Sequence, residues 1–269
     1  MAYHFARRSL RGTLAWCTHD EARALWDQVL RHVPDPVALC LMPDHVHLLH
    51  RRDVRRSFGK ALEGYAKWRN ARRHVSGRAW QRSSGPSLVE GRVKLRRSIR
   101  YVHLNPCRAG LADDPLGWPW STHRDACGLA LPAVLSRFPD PTGFHGWVSA
   151  DPTVHVSGTA LPHPSLEAHP EAISAAVSAL SRTPGDLLRR RGPARALLLR
   201  SLRCLSGWSP SRIATWTGLH RATVHRASDR WTPDVRVVAL ALGDDRFPAL
   251  QDWDLRRSPA WSRFRGRAG

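Results

Sequence analysis

The chain has 269 residues, 42% of them hydrophobic and 12 of them Trp, enough to bury one large core or two modest ones. Its formal net charge is +20, from 42 Lys and Arg against 22 acids, which points to a polyanionic partner such as nucleic acid. Cys17, Cys40, Cys107, Cys127 and Cys204 are odd in number and show no CxxC pair and no zinc-ligand spacing, so a disulfide scaffold is disfavoured and a reduced, cytoplasmic protein is expected; no signal-peptide core and no run of ~18 apolar residues argues for export or a membrane span.

In chain order, Leu10 to Thr18 predicts a first strand, and Asp20 to His32 a helix capped near Thr18 to Asp20. Val37 to Leu49 is apolar enough to predict one buried strand, which runs into MPDHVHLLH at Met42 to His50. Successive strand side chains alternate between faces, so His45 and His47 project together, about 7 Å apart along the chain. They can converge on one metal ion, while Val46 and Leu48 turn into a core. Taken alone, the motif fits two partly buried histidines at a strand end equally well.

Val54 to Arg73 predicts a basic amphipathic helix with Phe58, Leu62 and Tyr65 at helical spacing. Val75 to Ser87 reads as loop and Leu88 to Val89 as a short strand. Arg92 to Asn105 predicts a helix stopped by Asn105-Pro106. Tyr101 and Asn105 are four apart, so one helix face offers a phenol and a carboxamide together. The order β-α-β-α-β-α predicts an α+β domain with a helix-covered sheet.

Charge is concentrated in the same region. Residues 51–100 hold 16 Lys or Arg against three acids, the electrostatic footprint of a polyphosphate ligand. Codon bias accounts for 39 of the 42 bases being Arg, but not for their excess over acids. The candidate phosphate contacts are Arg51, Arg52, Arg55, Arg56 and Lys60, then Lys67, Arg69, Arg72 and Arg73 along the basic helix, then Arg97 and Arg100. Tyr65, Trp68 and Trp80 are interleaved with them, which suits stacking on unpaired bases.

Leu131 to Pro170 is rich in Pro, Gly and His with little periodicity, and Asp151 to Pro170 is expected to be a linker. No internal repeat occurs. Pro193 to Gly207 predicts a helix, with Pro at its start and Gly at its end. Ser209 to Thr217 predicts a shorter one with Ser209 as N-cap, Gly218-Leu219 a turn, and His220 to Arg230 a third helix. Small Ala214 and apolar Ile213, Leu219 and Val224 fit a helix-turn-helix that presents Arg221, Thr223, His225 and Arg226 to a major groove. The expected organisation is therefore a catalytic domain over 1–130, an irregular linker over 131–170, a DNA-binding domain over 171–232, and an extension over 233–269.

Four segments, in this order and spacing, resemble the REP-associated tyrosine transposase branch of the HUH single-tyrosine transposases. They are MPDHVHLL at Met42 to Leu49, AWQ at Ala79 to Gln81, RYVHLNPCRAGL at Arg100 to Leu111, and DPLGWPWSTHRDACG at Asp114 to Gly128. The resemblance covers roughly Ser9 to Gly128 and implies a ferredoxin-like, mostly antiparallel sheet with covering helices, the HUH nuclease fold. It implies a divalent ion, Mg2+ or Mn2+, held by His45, His47 and Asn105. It also implies that Tyr101 attacks a DNA phosphate to leave a 5′-phosphotyrosine, with single-stranded or hairpin DNA as substrate. The later helices are similar to the DNA-binding C-terminal domain of bacterial replication initiators, which implies duplex DNA as a further partner.

The sequence departs from that pattern at Ser84 and Lys94, where the family has an aromatic and an apolar or aromatic residue. Asp44 stands where asparagine is usual, and the polar loop expected after strand one is missing. Tyr65 is a rival nucleophile, ranked below Tyr101 because position 69, four residues on, is Arg and no metal ligand. The alternative function is a domesticated, non-cleaving DNA-binding protein or regulator, as a monomer or a homodimer.

Overall fold

The computed structural model describes residues 1–11, 13–82, 85–165 and 169–250. Ser84 and residues 251–269 of the expected C-terminal extension lie outside the described residues. The described residues fall into two compact units, one built from 1–127 and 134–159, the other from 128–133 and 160–250.

The first unit starts with β1 (Ala2–Arg8), α1 (His19–His32), β2 (Ala38–Leu41), β3 (His45–His50), α2 (Arg55–Arg73) and β4 (Ser87–Val89). All strand pairs are antiparallel, in the order β2-β3-β1-β4. This β-α-β-β-α-β path with interleaved strands is the ferredoxin-like topology expected. Then come α3 (Gly91–Arg108), the short α4 (His123–Ala126) and α5 (Pro141–Ser149).

The register assigns the two faces of the sheet. Arg8 pairs with His45 and Ala6 with His47, while Phe5 pairs with Leu48 and Arg7 with Val46. Paired residues share a face, so His4, Ala6, Arg8, His45 and His47 lie on one side and Phe5, Val46 and Leu48 on the other. The second face is covered by α1 and α2, which pack together, with the Phe5 and Phe58 rings 5.8 Å apart. The histidine face is covered by α3, which packs on β2 and β3. Phe58, Leu62 and Tyr65 form the buried stripe of α2, as their spacing predicts. Trp16 and Trp120 are fully buried, and Trp26 and Trp118 pack against them.

Three expectations are corrected. The first strand is Ala2–Arg8, and the described residues between Leu10 and Thr18 form a connection. The carbonyls of Leu14 and Ala15 accept from the side chains of Arg69 and Tyr65 instead of a neighbouring strand. β1 escaped notice because one of its faces carries His4, Ala6 and Arg8, so it shows no apolar alternation. The apolar run from Val37 to Leu49 is a hairpin, broken where Met42 N–H donates to the His45 carbonyl at 2.8 Å and where Pro43 has no N–H for a ladder. Both faces are covered, so every residue of β2 is buried and no change of pattern marks the break. Finally, α3 runs past Asn105-Pro106 to Arg108. Pro106 sits in the last turn, and Gly110 follows with φ +67° at the C-terminal side.

The stretch expected to be irregular contains α5, capped by the Asp140 carboxylate accepting from Gly143 N–H at 2.8 Å. Two glycines and two aromatics among its nine residues hid it from propensity.

The second unit is all-α: α6 (Pro170–Ser181), α7 (Pro193–Leu205), α8 (Pro210–Thr217), α9 (Arg221–His225) and α10 (Pro233–Ala241). Proline opens α6, α7, α8 and α10, where its missing N–H has no intrahelical role. Ser209 caps α8, and Gly218 ends it at φ +69°. The third helix is shorter than expected: α9 ends at His225, with Arg226 as its C-cap, and Arg230 lies outside it. α10 occupies part of the segment first read as an extension.

Candidate active site

β3 sets His45 and His47 side by side, with ring centroids 4.6 Å apart and planes at 88°. The two rings are buried to 7% and 5% exposure. Tyr101 stands over them from α3, with its ring 5.3 Å from that of His47 and nearly perpendicular to it. One turn on, Asn105 is buried, and its Nδ2 donates to the Tyr101 carbonyl at 2.8 Å. The Asn105 side chain also interacts with His47, an interaction that raises the His47 pKa against the larger effect of burial. Strand face and helix face therefore converge as their spacings predict.

Each histidine has one nitrogen committed and one to offer. His45 Nδ1 donates to the Asp44 carboxylate at 2.5 Å, an orientation that turns Nε2 toward any ligand. Burial pushes the Asp44 carboxyl up, but the hydrogen bond from His45 and the charges of His45 and Arg8 more than offset it and keep it below its usual value. His47 Nδ1 lies 3.0 Å from His4 Nε2, and its buried Nε2 has no hydrogen-bond partner among the described residues. Burial, reinforced by His45, His4 and Arg8, holds His47 well below the ordinary histidine pKa. It is therefore neutral, the form that donates a lone pair to a metal. The donor set, two imidazoles and an amide oxygen, fits Mg2+ or Mn2+, with the imidazoles favouring Mn2+.

Sequence reading missed three participants. His4 stacks on His47 at 5.1 Å and meets the Tyr101 ring edge-on at 6.0 Å; its signal was the period-2 pattern of a strand placed elsewhere. Asp44 appeared only as a departure from a family pattern. Arg108, seven residues beyond Tyr101 and so on the same helix face, stacks on the phenol ring at 5.1 Å and is held by Asp151 at 2.9 Å. Arg100, expected as a phosphate contact, instead donates to the Trp147 carbonyl at 2.5 Å and stacks on the Trp147 ring.

The candidate DNA contacts divide sharply. Arg51, Arg52, Arg55, Arg56, Lys60, Lys67, Arg72 and Arg97 are exposed, as is Lys94. Arg69 is not: it is buried to 5%, and its Nη1 donates to the Leu14 carbonyl at 3.0 Å. Arg73 grips Glu21, with Nη2 to Oε2 at 2.6 Å. These two arginines serve the interior because α2 packs on α1, and they are withdrawn from the phosphate-contacting set. Tyr65 is fully buried and donates to the Ala15 carbonyl, which removes it both as rival nucleophile and as a stacking platform. Trp80 is half-buried with its Nε1 donating to the Leu62 carbonyl, and Trp68 is 37% exposed. In the second unit Arg221, His225 and Arg226 are exposed and Thr223 half-buried, around buried Val224. Among the described residues, no helix is long and apolar enough to cross a membrane.

The chain is similar to a curated Haemophilus influenzae protein provisionally named a REP-associated tyrosine transposase, with 26% identity over 139 residues, 45% of this chain and 78% of that protein. A solved structure of a REP-associated tyrosine transposase bound to a REP hairpin is similar over 46% of this chain and 78% of that one, at 19% identity and a TM-score of 0.36; so loose a superposition places no residue. No family model matches the chain.

Proposed function

We propose that the chain is a metal-dependent, single-strand DNA endonuclease and strand transferase of the REP-associated tyrosine transposase kind. The observation that supports this most is that Tyr101 and Asn105 of α3 meet His45 and His47 of β3, where the buried His47 Nε2 has no hydrogen-bond partner among the described residues.

His45 Nε2, His47 Nε2 and the Asn105 amide oxygen are the atoms that would hold Mg2+ or Mn2+. When bound, such an ion supplies Lewis-acid stabilisation of charge on the non-bridging oxygens of the scissile phosphate. Asp44 and His4 fix the two imidazoles so that neither must reorient. The Tyr101 oxygen attacks phosphorus, the bond from phosphorus to the 3′-oxygen breaks, and that oxygen leaves as a 3′-hydroxyl carrying a proton. The product is a 5′-phosphotyrosine ester, and attack by a 3′-hydroxyl reverses the step and joins a strand without an external energy source. The guanidinium of Arg108, stacked on the Tyr101 ring at 5.1 Å, places a positive charge beside the attacking phenol. Tyr101 is 41% exposed, so the oxygen is open to a backbone that can enter the site. A single strand or hairpin tip offers its backbone that way and a continuous duplex does not.

The exposed Arg and Lys between Arg51 and Arg97 supply affinity through phosphate contacts, and α8 with α9 adds duplex contacts from Arg221 and Arg226. In the test, the purified protein is incubated with single-stranded hairpin DNA and Mn2+ and run on a denaturing gel. A covalent adduct forms with the parent protein and is lost in Tyr101→Phe, whose DNA affinity is unchanged because only the oxygen is removed. An adduct that survives Tyr101→Phe refutes the assignment. A parent protein that binds but never forms an adduct supports the non-cleaving alternative instead.

A further inference from the structure

On the far side of α3 from Tyr101, three metal-ligand side chains meet in the core. His123 and Cys127 are four residues apart, on one face of α4 and its C-cap, and His145 comes from α5. Their donor atoms all lie within 4.8 Å of one another. His123 Nε2 is 3.0 Å from His145 Nδ1, and Cys127 Sγ is 3.7 Å from His123 Nε2.

These separations are those of ligands around one ion. With Zn–N near ~2.0 Å and Zn–S near ~2.3 Å, tetrahedral ligand atoms sit about 3.3 Å apart for N···N and about 3.5 Å for N···S. A hydrogen-bonded histidine pair explains the first distance alone, and the four-residue spacing on α4 brings the thiol to the same nitrogen, so three donors share one place. The surroundings fit as well. The Asp114 carboxylate lies 3.8 Å from His145 Nε2, behind the ring, where a carboxylate orients a metal-bound imidazole. His123 and His145 are fully buried and Cys127 is 3% exposed, so the three donors face the interior, where an ion can enter with one water.

We propose that His123, Cys127 and His145 bind one Zn2+ ion at a site distinct from the Tyr101 pocket. A soft thiolate with two imidazoles selects zinc over the magnesium or manganese suited to the oxygen-containing site. Binding releases the Cys127 thiol proton to solvent, and a water completes four-coordination. The ion ties α4 to α5, whose Trp147 ring stacks on Arg96 and Arg100 of α3. Zinc thereby braces the back of the helix that carries Tyr101, and its binding energy adds to folding.

The experiment uses the full chain carrying His45→Ala and His47→Ala, which removes the other candidate metal site. After exposure to zinc and exhaustive dialysis, this protein retains one equivalent of zinc by mass spectrometry. Loading with Co2+ instead gives tetrahedral d–d absorption together with a thiolate-to-cobalt charge-transfer band. Adding Cys127→Ser removes the charge-transfer band and the retained zinc. The cobalt spectrum needs no change in the cluster itself, so it decides the matter even where Cys127→Ser unfolds the protein. No retained zinc, no thiolate band, or zinc retention indifferent to Cys127→Ser in a folded protein overturns the proposal.

Discussion

Replacing Asp44 by Ala should weaken Mn2+ binding at the His45–His47 pair by about 10- to 100-fold, the range for removing a partner that orients a ligand. The structure supports that magnitude independently. Asp44 accepts from His45 Nδ1 at 2.5 Å and is held by Arg8 at 3.2 Å, with its side chain 15% exposed, so solvent screens the contact little. A hydrogen bond to a charged group contributes roughly 1.5–3 kcal/mol. At about 1.4 kcal/mol per factor of ten, that is one to two decades in affinity. Without the carboxylate, His45 can take the tautomer with its proton on Nε2, which blocks the atom meant for the metal. Asp44→Asn keeps an oxygen acceptor but not the charge, and should fall between the parent and Asp44→Ala. Electron paramagnetic resonance of free Mn2+ during titration reads the affinity directly, with circular dichroism confirming the fold. An Asp44→Ala protein that is folded and binds Mn2+ as tightly as the parent refutes the view that Asp44 positions a metal ligand.

Other expectations follow from the same geometry. Glu21, 5% exposed, accepts from Arg73 twice and from Cys17 N–H at 2.6 Å. Glu21→Gln should cost about 2–4 kcal/mol in urea unfolding, somewhat less than a fully buried pair because the Arg73 side chain is 25% exposed; a destabilisation under about 0.5 kcal/mol would contradict the ion pair. Burial raises the Glu21 pKa, but the hydrogen bonds from Arg73 and Cys17 and the charge of Arg73 carry it below its usual value. Its stabilisation is therefore complete above the unfolded value of about 4.5 and lost as pH falls through the folded one, so the gap between parent and Glu21→Gln should shrink on acidification below that point and stay constant from pH 6 to 8. Arg221→Ala with Arg226→Ala should weaken duplex binding and lower its salt slope by about one for each phosphate left without its arginine, while adduct formation on a single strand is unchanged; equal duplex affinity would count against the helix-turn-helix reading.

The sequence by itself determined the parts of this protein that depend on local spacing. Residues two apart on a strand and four apart on a helix share a face whatever the tertiary structure, so His45 with His47, and Tyr101 with Asn105, were legible as pairs. The stripe of Phe58, Leu62 and Tyr65 and the caps at Thr18 and Ser209 were legible for the same reason. Only the tertiary structure decided which partners come from far away. His4 reaches His47 through a register set 43 residues apart, and β1 was hidden because its site-facing side is not apolar. Arg69 and Arg73 look like their exposed neighbours in a basic run, and packing of α2 on α1 alone turns them inward to backbone carbonyls and to Glu21. The cysteines gave no zinc signal because the ligand spacing that matters joins one Cys to two His across α4 and α5. A folded chain brings distant residues together through burial and pairing, and neither leaves a fixed interval in the sequence.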